Sequence, residues 1–377
     1  MSILLFIIIL ATLILVHEFG HFIAAKRAGI RVDEFGIGFP PRIFSKKIGE
    51  TVYSLNLFPI GGFVKIFGEN PEEVNAEGRE ASLGHEELTN GADSKRSFLH
   101  KSKLIQAWVI SAGIIFNLLF AWVLISAGFM AGLPYSAEDK VYGARVVGAT
   151  LTITQVVPKS PAESAGLKSG DKIVALYGGT DTLENPGVES TQKFIASHDE
   201  VTLAYLREKE IKTVVIYTQG GITPNRHAIG ISMDKTGILK LPVGEALYAG
   251  VVTTASFAWL TATGLFDFFK NIFIGQANFS DVSGPIGIVG IVSDASALGF
   301  VYLLMLTALI SINLAVINIL PFPALDGGRL FFILIETIKG SPIKPVIANA
   351  VNGIGFILLI LLMVVVTYQD IAKILHR

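Results

Sequence analysis

Thirty consecutive residues, Leu104–Leu133, carry no charged side chain. That is long enough to cross a bilayer with tilt, and longer than a buried helix of a soluble domain needs. Ile3–Val16 is apolar except for Thr12, meets His17, Glu18 and His21, and resumes through Phe22–Ala25. It has neither the charged leading region nor the small-residue cleavage site of a signal peptide, so Ser2–Ala25 is read as a first transmembrane helix. Val301–Leu320 forms a third span ending at Pro321, and Ile347–Val366 a fourth. Ala246–Phe266 is also uncharged, but it is rich in Ala, Thr, Ser and Gly.

Composition narrows the partners. Only 16% of residues are charged and 51% are hydrophobic, whereas a soluble domain runs near a quarter charged. Mean hydropathy is +0.58. With no cysteine there are neither disulfides nor thiolate metal ligands. A net charge of −1 gives no electrostatic case for nucleic acid. The expected partners are the lipid bilayer and proteins within it; the sequence leaves the oligomeric state open.

Basic residues near span ends set the orientation. Lys26, Arg27, Arg31 and Arg42 follow the first span, and Lys95, Arg96, Lys101 and Lys103 precede the second. Residues 26–103 are therefore expected in the cytoplasm, and the N-terminus outside. Within this loop, Thr51–Phe58 and Phe63–Phe67 read as the two strands of a hairpin turned at Pro59–Gly62. The stretch Glu69–Asp93 is acidic and poor in large apolar residues, as a mobile loop would be. Residues 140–235 form a block of short β-prone runs, with strands expected at Leu151–Val157, Val201–Arg207 and Lys212–Tyr217. The segment SPAESAGLKSGDKIVAL, residues 160–176, resembles part of a PDZ domain. An unrelated small extracytoplasmic β domain is the other reading.

The chemistry centres on His17-Glu18-Phe19-Gly20-His21. On a helix, positions i and i+4 share a face, so both imidazoles can meet one metal ion. Glu18 lies about 100° around the axis from His17. It can serve as a base without being a ligand, since zinc brings a bound water toward a pKa of ~7. A charged residue in a membrane helix costs roughly 2.5–3.5 kcal/mol on insertion scales, so three ionisable groups within five positions call for a function. The alternative is a helix that ends at His17, with the polar residues already among headgroups.

A third ligand is needed, and Asp326 is the candidate. Pro321 and Pro323 break the third span and Gly327-Gly328 free the backbone, which holds Asp326 at a helix break. Asp is also a good N-cap, so a plain cap on the following helix stays open at this point.

These motifs together resemble the site-2 protease family of intramembrane zinc metalloproteases, of the bacterial regulator-of-sigma-E protease type. The resemblance rests on HEFGH in the first span, INILPFPALDGGRL (317–330), FPIGGFVKIFGE (58–69), FNLLFA (116–121) and SGPIGI (283–288). It implies His17, His21 and Asp326 as ligands of a Zn2+ cofactor and Glu18 as the catalytic base. It also implies hydrolysis of peptide bonds in single-span membrane proteins, such as an anti-sigma factor or signal-peptide remnants, in the bacterial inner membrane. Some members of this type carry two PDZ domains in tandem, and the block here has room for one.

The expected fold is an α-helical polytopic membrane protein of four transmembrane helices, with an inserted extracytoplasmic PDZ-like α+β domain and a cytoplasmic β-hairpin. Its segments are a first helix over 1–25, a cytoplasmic loop over 26–103, and a second helix over 104–133. The PDZ-like domain over 140–235 and a membrane-associated amphipathic segment over 243–299 follow, then helices over 300–330 and 347–367. His17 lies roughly 22 Å along the first helix, toward the cytoplasmic side. Asp326 reaches that side only if residues 246–266 do not cross alone, so that helix is expected to lie on, or dip into, the outer leaflet. Two rival functions are a metal-dependent membrane transporter with its site at a helix break and a catalytically inactive PDZ-bearing membrane scaffold.

Overall fold

The computed structural model describes residues 2–69, 95–207, 210–223, 226–276 and 284–375. The acidic stretch expected as a loop lies outside these residues, apart from Glu69 at its start. The chain divides into two compact units, Ala127–Ala246 and the remainder.

The larger unit begins with α1 (Ser2–Arg27), which closes on Lys26 and Arg27, cations that suit a helix C-terminus. Two long bent strands follow, β1 (Val32–Ile48) and β2 (Thr51–Ile66). Ile48 pairs with Thr51 across a tight turn that includes Gly49 (φ +64°). The strands double back, so that Val32–Ile37 has neighbours on both sides: Glu34 faces Lys65 on one and Val52 on the other. The hairpin expected between Thr51–Phe58 and Phe63–Phe67 does not form. Each segment instead pairs with β1, whose strand signal is masked by Gly36, Gly38 and Pro40-Pro41. Glu50 accepts from Lys26 (2.7 Å) and Arg96 (2.6 Å), tying the turn to the end of α1 and the approach to α2 (Lys103–Ala131). Hydrogen bonds from Lys26, then Arg96, hold its carboxyl below the usual range.

The Ala127–Ala246 unit is an antiparallel sheet. Its strands are β3 (Leu133–Ser136), β4 (Val147–Val156), β5 (Lys172–Gly178), β6 (Asp181–Glu184), β7 (Glu200–Arg207), β8 (Glu210–Tyr217) and β11 (Ile231–Leu239). The order is β3-β11-β4-β5-β7-β8, with β6 also on β5. A separate two-stranded ribbon joins β9 (Gln219–Thr223) to β10 (Arg226–Ala228). The short α3 (Pro161–Ser164) starts on Ser160, whose hydroxyl accepts from Glu163 N, with Pro161 in the first turn, the pairing that best satisfies a helix start. With α4 (Val188–Ser197), it closes over a core that includes Ile153, Leu176, Val201 and Leu203.

The chain then returns to the larger unit with α5 (Val243–Phe273), α6 (Pro285–Leu298), α7 (Phe300–Ile319), α8 (Asp326–Lys339) and α9 (Pro345–Leu375). Among the described residues, five helices are long and apolar enough to cross a membrane: Ser2–Arg27, Lys103–Ala131, Val243–Ile272, Phe300–Ile319 and Pro345–Lys373. Helices suit that setting because every backbone polar group within them is satisfied internally. This is the architecture of a multi-pass membrane protein carrying a β domain.

The segment expected as membrane-associated and amphipathic, residues 243–299, contains two helices that pack against the other apolar helices. Trp122 Nε1 donates to Leu247 O (2.9 Å), and Thr261 Oγ1 donates to Asn313 Oδ1 of α7 (2.9 Å). Those positions are about 21 Å apart along α5, so the helix descends beside α2 and α7 instead of lying across their ends. α6 runs back: Ser2 Oγ donates to Ser293 Oγ (2.9 Å), and Val292 packs with Ile9 and Leu13 of α1. Asp370 of α9 accepts from Gly287 N (2.7 Å), capping α6 from another helix. Such a bond lets a buried carboxylate persist near the end of an apolar helix.

Candidate metal centre

α1 continues ten residues past His17, so the histidine motif lies inside the helix and not at its frayed end. His17 and His21 are both buried, at 8% and 9% exposure. The crossing with α2 is close because glycines face it from both helices. A methyl at Gly20 would stand 2.5 Å from Ala112 O, and one at Gly113 would stand 2.4 Å from His21 Nε2. Gly113 thus leaves the room that the two imidazoles occupy.

Asp326 arrives from the other end of the chain. α7 stops at the Pro321-Phe322-Pro323 break, the chain turns through Ala324 at φ +71°, and α8 begins at Asp326. A methyl at Gly327 would meet Leu320 O at 2.2 Å, so glycine lets the first turn of α8 tuck under the last carbonyls of α7. Asn352 Oδ1 accepts from Ala324 N (3.2 Å), and Ile333 packs α8 into the core shared by α1 and α2. The helix cap is Leu325 and makes no side-chain capping bond. Asp326 is therefore not a plain cap; its carboxylate turns toward α1.

Three donor atoms converge. Asp326 Oδ2 lies 3.0 Å from His17 Nε2 and 3.3 Å from His21 Nε2, and the two ring nitrogens are 3.2 Å apart. This is the one cluster of three or more metal-capable side chains among the described residues. A tetrahedron with zinc–donor bonds of about 2.0–2.2 Å has edges of roughly 3.3–3.6 Å, close to these separations. Proton accounting agrees. Val109 O lies 2.9 Å from His21 Nδ1, and a carbonyl can only accept, so the proton of a neutral His21 is on Nδ1. Its Nε2 then presents a lone pair to Asp326 Oδ2, a buried oxygen with no hydrogen-bond partner. Lone pairs aimed into one small volume repel each other, and a divalent cation satisfies both. The residues fit zinc.

Glu18 is outside this cluster but beside it. It lines two cavities that flank the donors, of about 100 and 260 Å3. The larger is also bordered by Ile14, Leu314 and Asn318. The smaller holds Arg329, one turn beyond Asp326, paired with Glu69. Burial works against the Arg329 guanidinium, but the Glu69 carboxylate more than offsets it and holds the charge. A methyl at Gly62 of β2 would stand 3.5 Å from Glu18 Cγ, so strand backbone passes within reach of the same carboxylate.

Sequence spacing brings out His17, Glu18 and His21, and the Pro-Gly break singles out Asp326. The structure gathers all four. Val109 and Gly113 were not singled out, and Asn117 entered only within the FNLLFA segment with no role attached, because a backbone carbonyl, an absent side chain and a lone amide carry no local signature of a metal neighbourhood.

The model for peptidase family M50 matches residues 5–362. Zinc metalloprotease RasP of Shouchella clausii is 31% identical over 435 aligned positions, covering 99% of each chain. The RasP proteins of Bacillus licheniformis and Geobacillus kaustophilus are each 32% identical, over 99% of this chain and 99% and 98% of their own. The family match spans nearly the whole chain and the relatives are covered almost end to end, so this chain belongs to peptidase family M50.

Proposed function

We propose that the protein is an intramembrane zinc metalloendopeptidase in which His17, His21 and Asp326 hold the metal and Glu18 is the catalytic base. The observation that carries this reading is the convergence of His17 Nε2, His21 Nε2 and Asp326 Oδ2 at 3.0–3.3 Å, with Glu18 outside the donor set and lining the cavities beside it. Relatives named zinc metalloproteases support it. Bound zinc would act as a Lewis acid toward the scissile carbonyl and would acidify a water. Glu18 takes the proton of the attacking water as the new C–O bond forms, and returns it to the leaving amine as the C–N bond breaks. Apolar helices around the site limit the water that reaches it, which strengthens each electrostatic contact.

The substrates are single-span membrane proteins whose helix must locally unwind to expose a peptide bond. The outer edge of the Gly62–Ile66 segment of β2 is suited to hold the unwound stretch by strand addition. Anti-sigma factors and signal-peptide remnants are of this type. The Ala127–Ala246 unit is read as PDZ-like and extracytoplasmic, screening substrates by the size of their outer domains.

The test is cleavage of a purified single-span reporter in detergent or proteoliposomes. The reading expects product ends within or next to the membrane segment, loss of cleavage on chelation, and recovery on adding zinc. Zinc-independent cleavage, or none, would favour a scaffold. Metal transport without cleavage would favour a transporter.

The membrane arrangement is read as four full spans, α1, α2, α7 and α9, with α5 and α6 entering from the outer side and returning to it. Both ends of that pair then lie outside, and Asp326 emerges on the cytoplasmic side, where His17 also lies. The chain has no native cysteine, so single substitutions report cleanly. Ser190→Cys and Phe300→Cys should label from outside and His85→Cys from the cytoplasm. Labelling of position 300 from the cytoplasm would overturn the arrangement.

A further inference from the structure

The metal site has an outer layer, drawn from one stripe of α2. Val109, Gly113 and Asn117 recur every four residues, in step with His17 and His21 on α1. Val109 O meets His21 Nδ1, and Gly113 clears space for both rings. Asn117 is fully buried at 0% exposure, and the end of its side-chain amide that faces His17 Nδ1, at 3.2 Å, is assigned as the nitrogen Nδ2. Its Oδ1 has no hydrogen-bond partner. Its backbone oxygen is separately engaged, accepting from Ser311 Oγ (2.8 Å).

We propose that Asn117 is a positioning residue that presents its amide oxygen to the Nδ1–H of His17, fixing the tautomer that leaves Nε2 free for zinc. This rests on the metalloprotease reading above. His17 Nε2 points at Asp326 Oδ2. If that nitrogen ligates, the ring's single proton must sit on Nδ1, and a buried N–H needs an acceptor. Among the described residues, Asn117 is the only hydrogen-bonding partner of that nitrogen. A side-chain amide can offer either end, because a half-turn about its last bond exchanges NH2 and oxygen within the same volume. An NH2 facing Nδ1 would force the ring proton onto Nε2 and block coordination. The oxygen is therefore the end that metal binding selects. His21 obtains the equivalent acceptor from the Val109 carbonyl, two turns earlier on the same helix. Such outer partners fix ring orientation and raise the ligand's basicity.

The full-length protein tests this through Asn117→Asp and Asn117→Leu. Aspartate keeps an acceptor of the same shape and removes the donor; leucine has similar bulk and neither. Zinc affinity is read by competition with a chelator, and ligand geometry by the visible spectrum of the cobalt(II)-loaded protein. Asn117→Leu should lose roughly 10–100-fold in zinc affinity and change the cobalt spectrum. Asn117→Asp should bind zinc within about threefold of wild type, or more tightly, with the wild-type cobalt spectrum. Wild-type affinity in Asn117→Leu would overturn the proposal. So would an Asn117→Asp loss as large as that of leucine, which would make the amide a donor. If Asn117→Leu does not fold, Asn117→Asp against wild type still decides between acceptor and donor. If the wild type itself binds no zinc, the metalloprotease reading fails and this inference with it; a loaded wild type with indifferent variants removes only the inference.

Discussion

Glu18→Gln should reduce cleavage on the order of a thousandfold while leaving bound zinc unchanged. The substitution preserves shape and removes only the ability to take a proton. Glu18 is outside the donor cluster of His17, His21 and Asp326, so the metal should stay. It lines both cavities beside that cluster, so a water in either can reach its carboxylate. Initial rates on a single-span reporter, with zinc measured on the same preparation, separate these effects. Near-wild-type rates would remove Glu18 from the mechanism, and loss of zinc would mean that it supports the ligands instead.

Much of the helical frame was legible because a bilayer imposes a strong and simple pattern. The uncharged run Leu104–Leu133 became Lys103–Ala131, and Val301–Leu320 became Phe300–Ile319. The last helix extends beyond Val366 to Leu375, through a polar stretch that hydropathy discounts. Asp370 is tolerated there because it caps α6, a tertiary contact that no local window contains. α5 was harder to place for the same reason: its bonds to Trp122 and Asn313 set which helices it packs against. The β1–β2 pairing was misplaced because glycines and a Pro-Pro pair hide a strand that neighbours on both sides stabilise.

The candidate site divides along the same line. His17 and His21 are legible because their spacing is itself the geometry. Asp326 was ambiguous, since a cap and a ligand differ only in what lies opposite, and what lies opposite is in α1. Asn117 needed the crossing of α1 and α2 before its amide had anything to face.

Asp326→Ala should abolish cleavage and empty the site. Asp326 supplies the only carboxylate among the three convergent donors, so its loss leaves two neutral imidazoles, too few for a stable protein-held zinc. The fall in affinity should exceed the roughly 10–100-fold that loss of an outer partner costs. Folding should suffer less. Asp326 lies in the first turn of α8 and makes no capping bond, whereas α8 is held by Ile333 and by the Lys103–Glu336 pair at 2.5 Å. The decisive measurement is zinc per chain in purified wild type and Asp326→Ala, equilibrated against a chelator of graded strength. One zinc site built from two helices at opposite ends of the chain predicts about one zinc per wild-type molecule and none in the variant, with both proteins folded. Stoichiometric zinc of wild-type affinity in Asp326→Ala would contradict it.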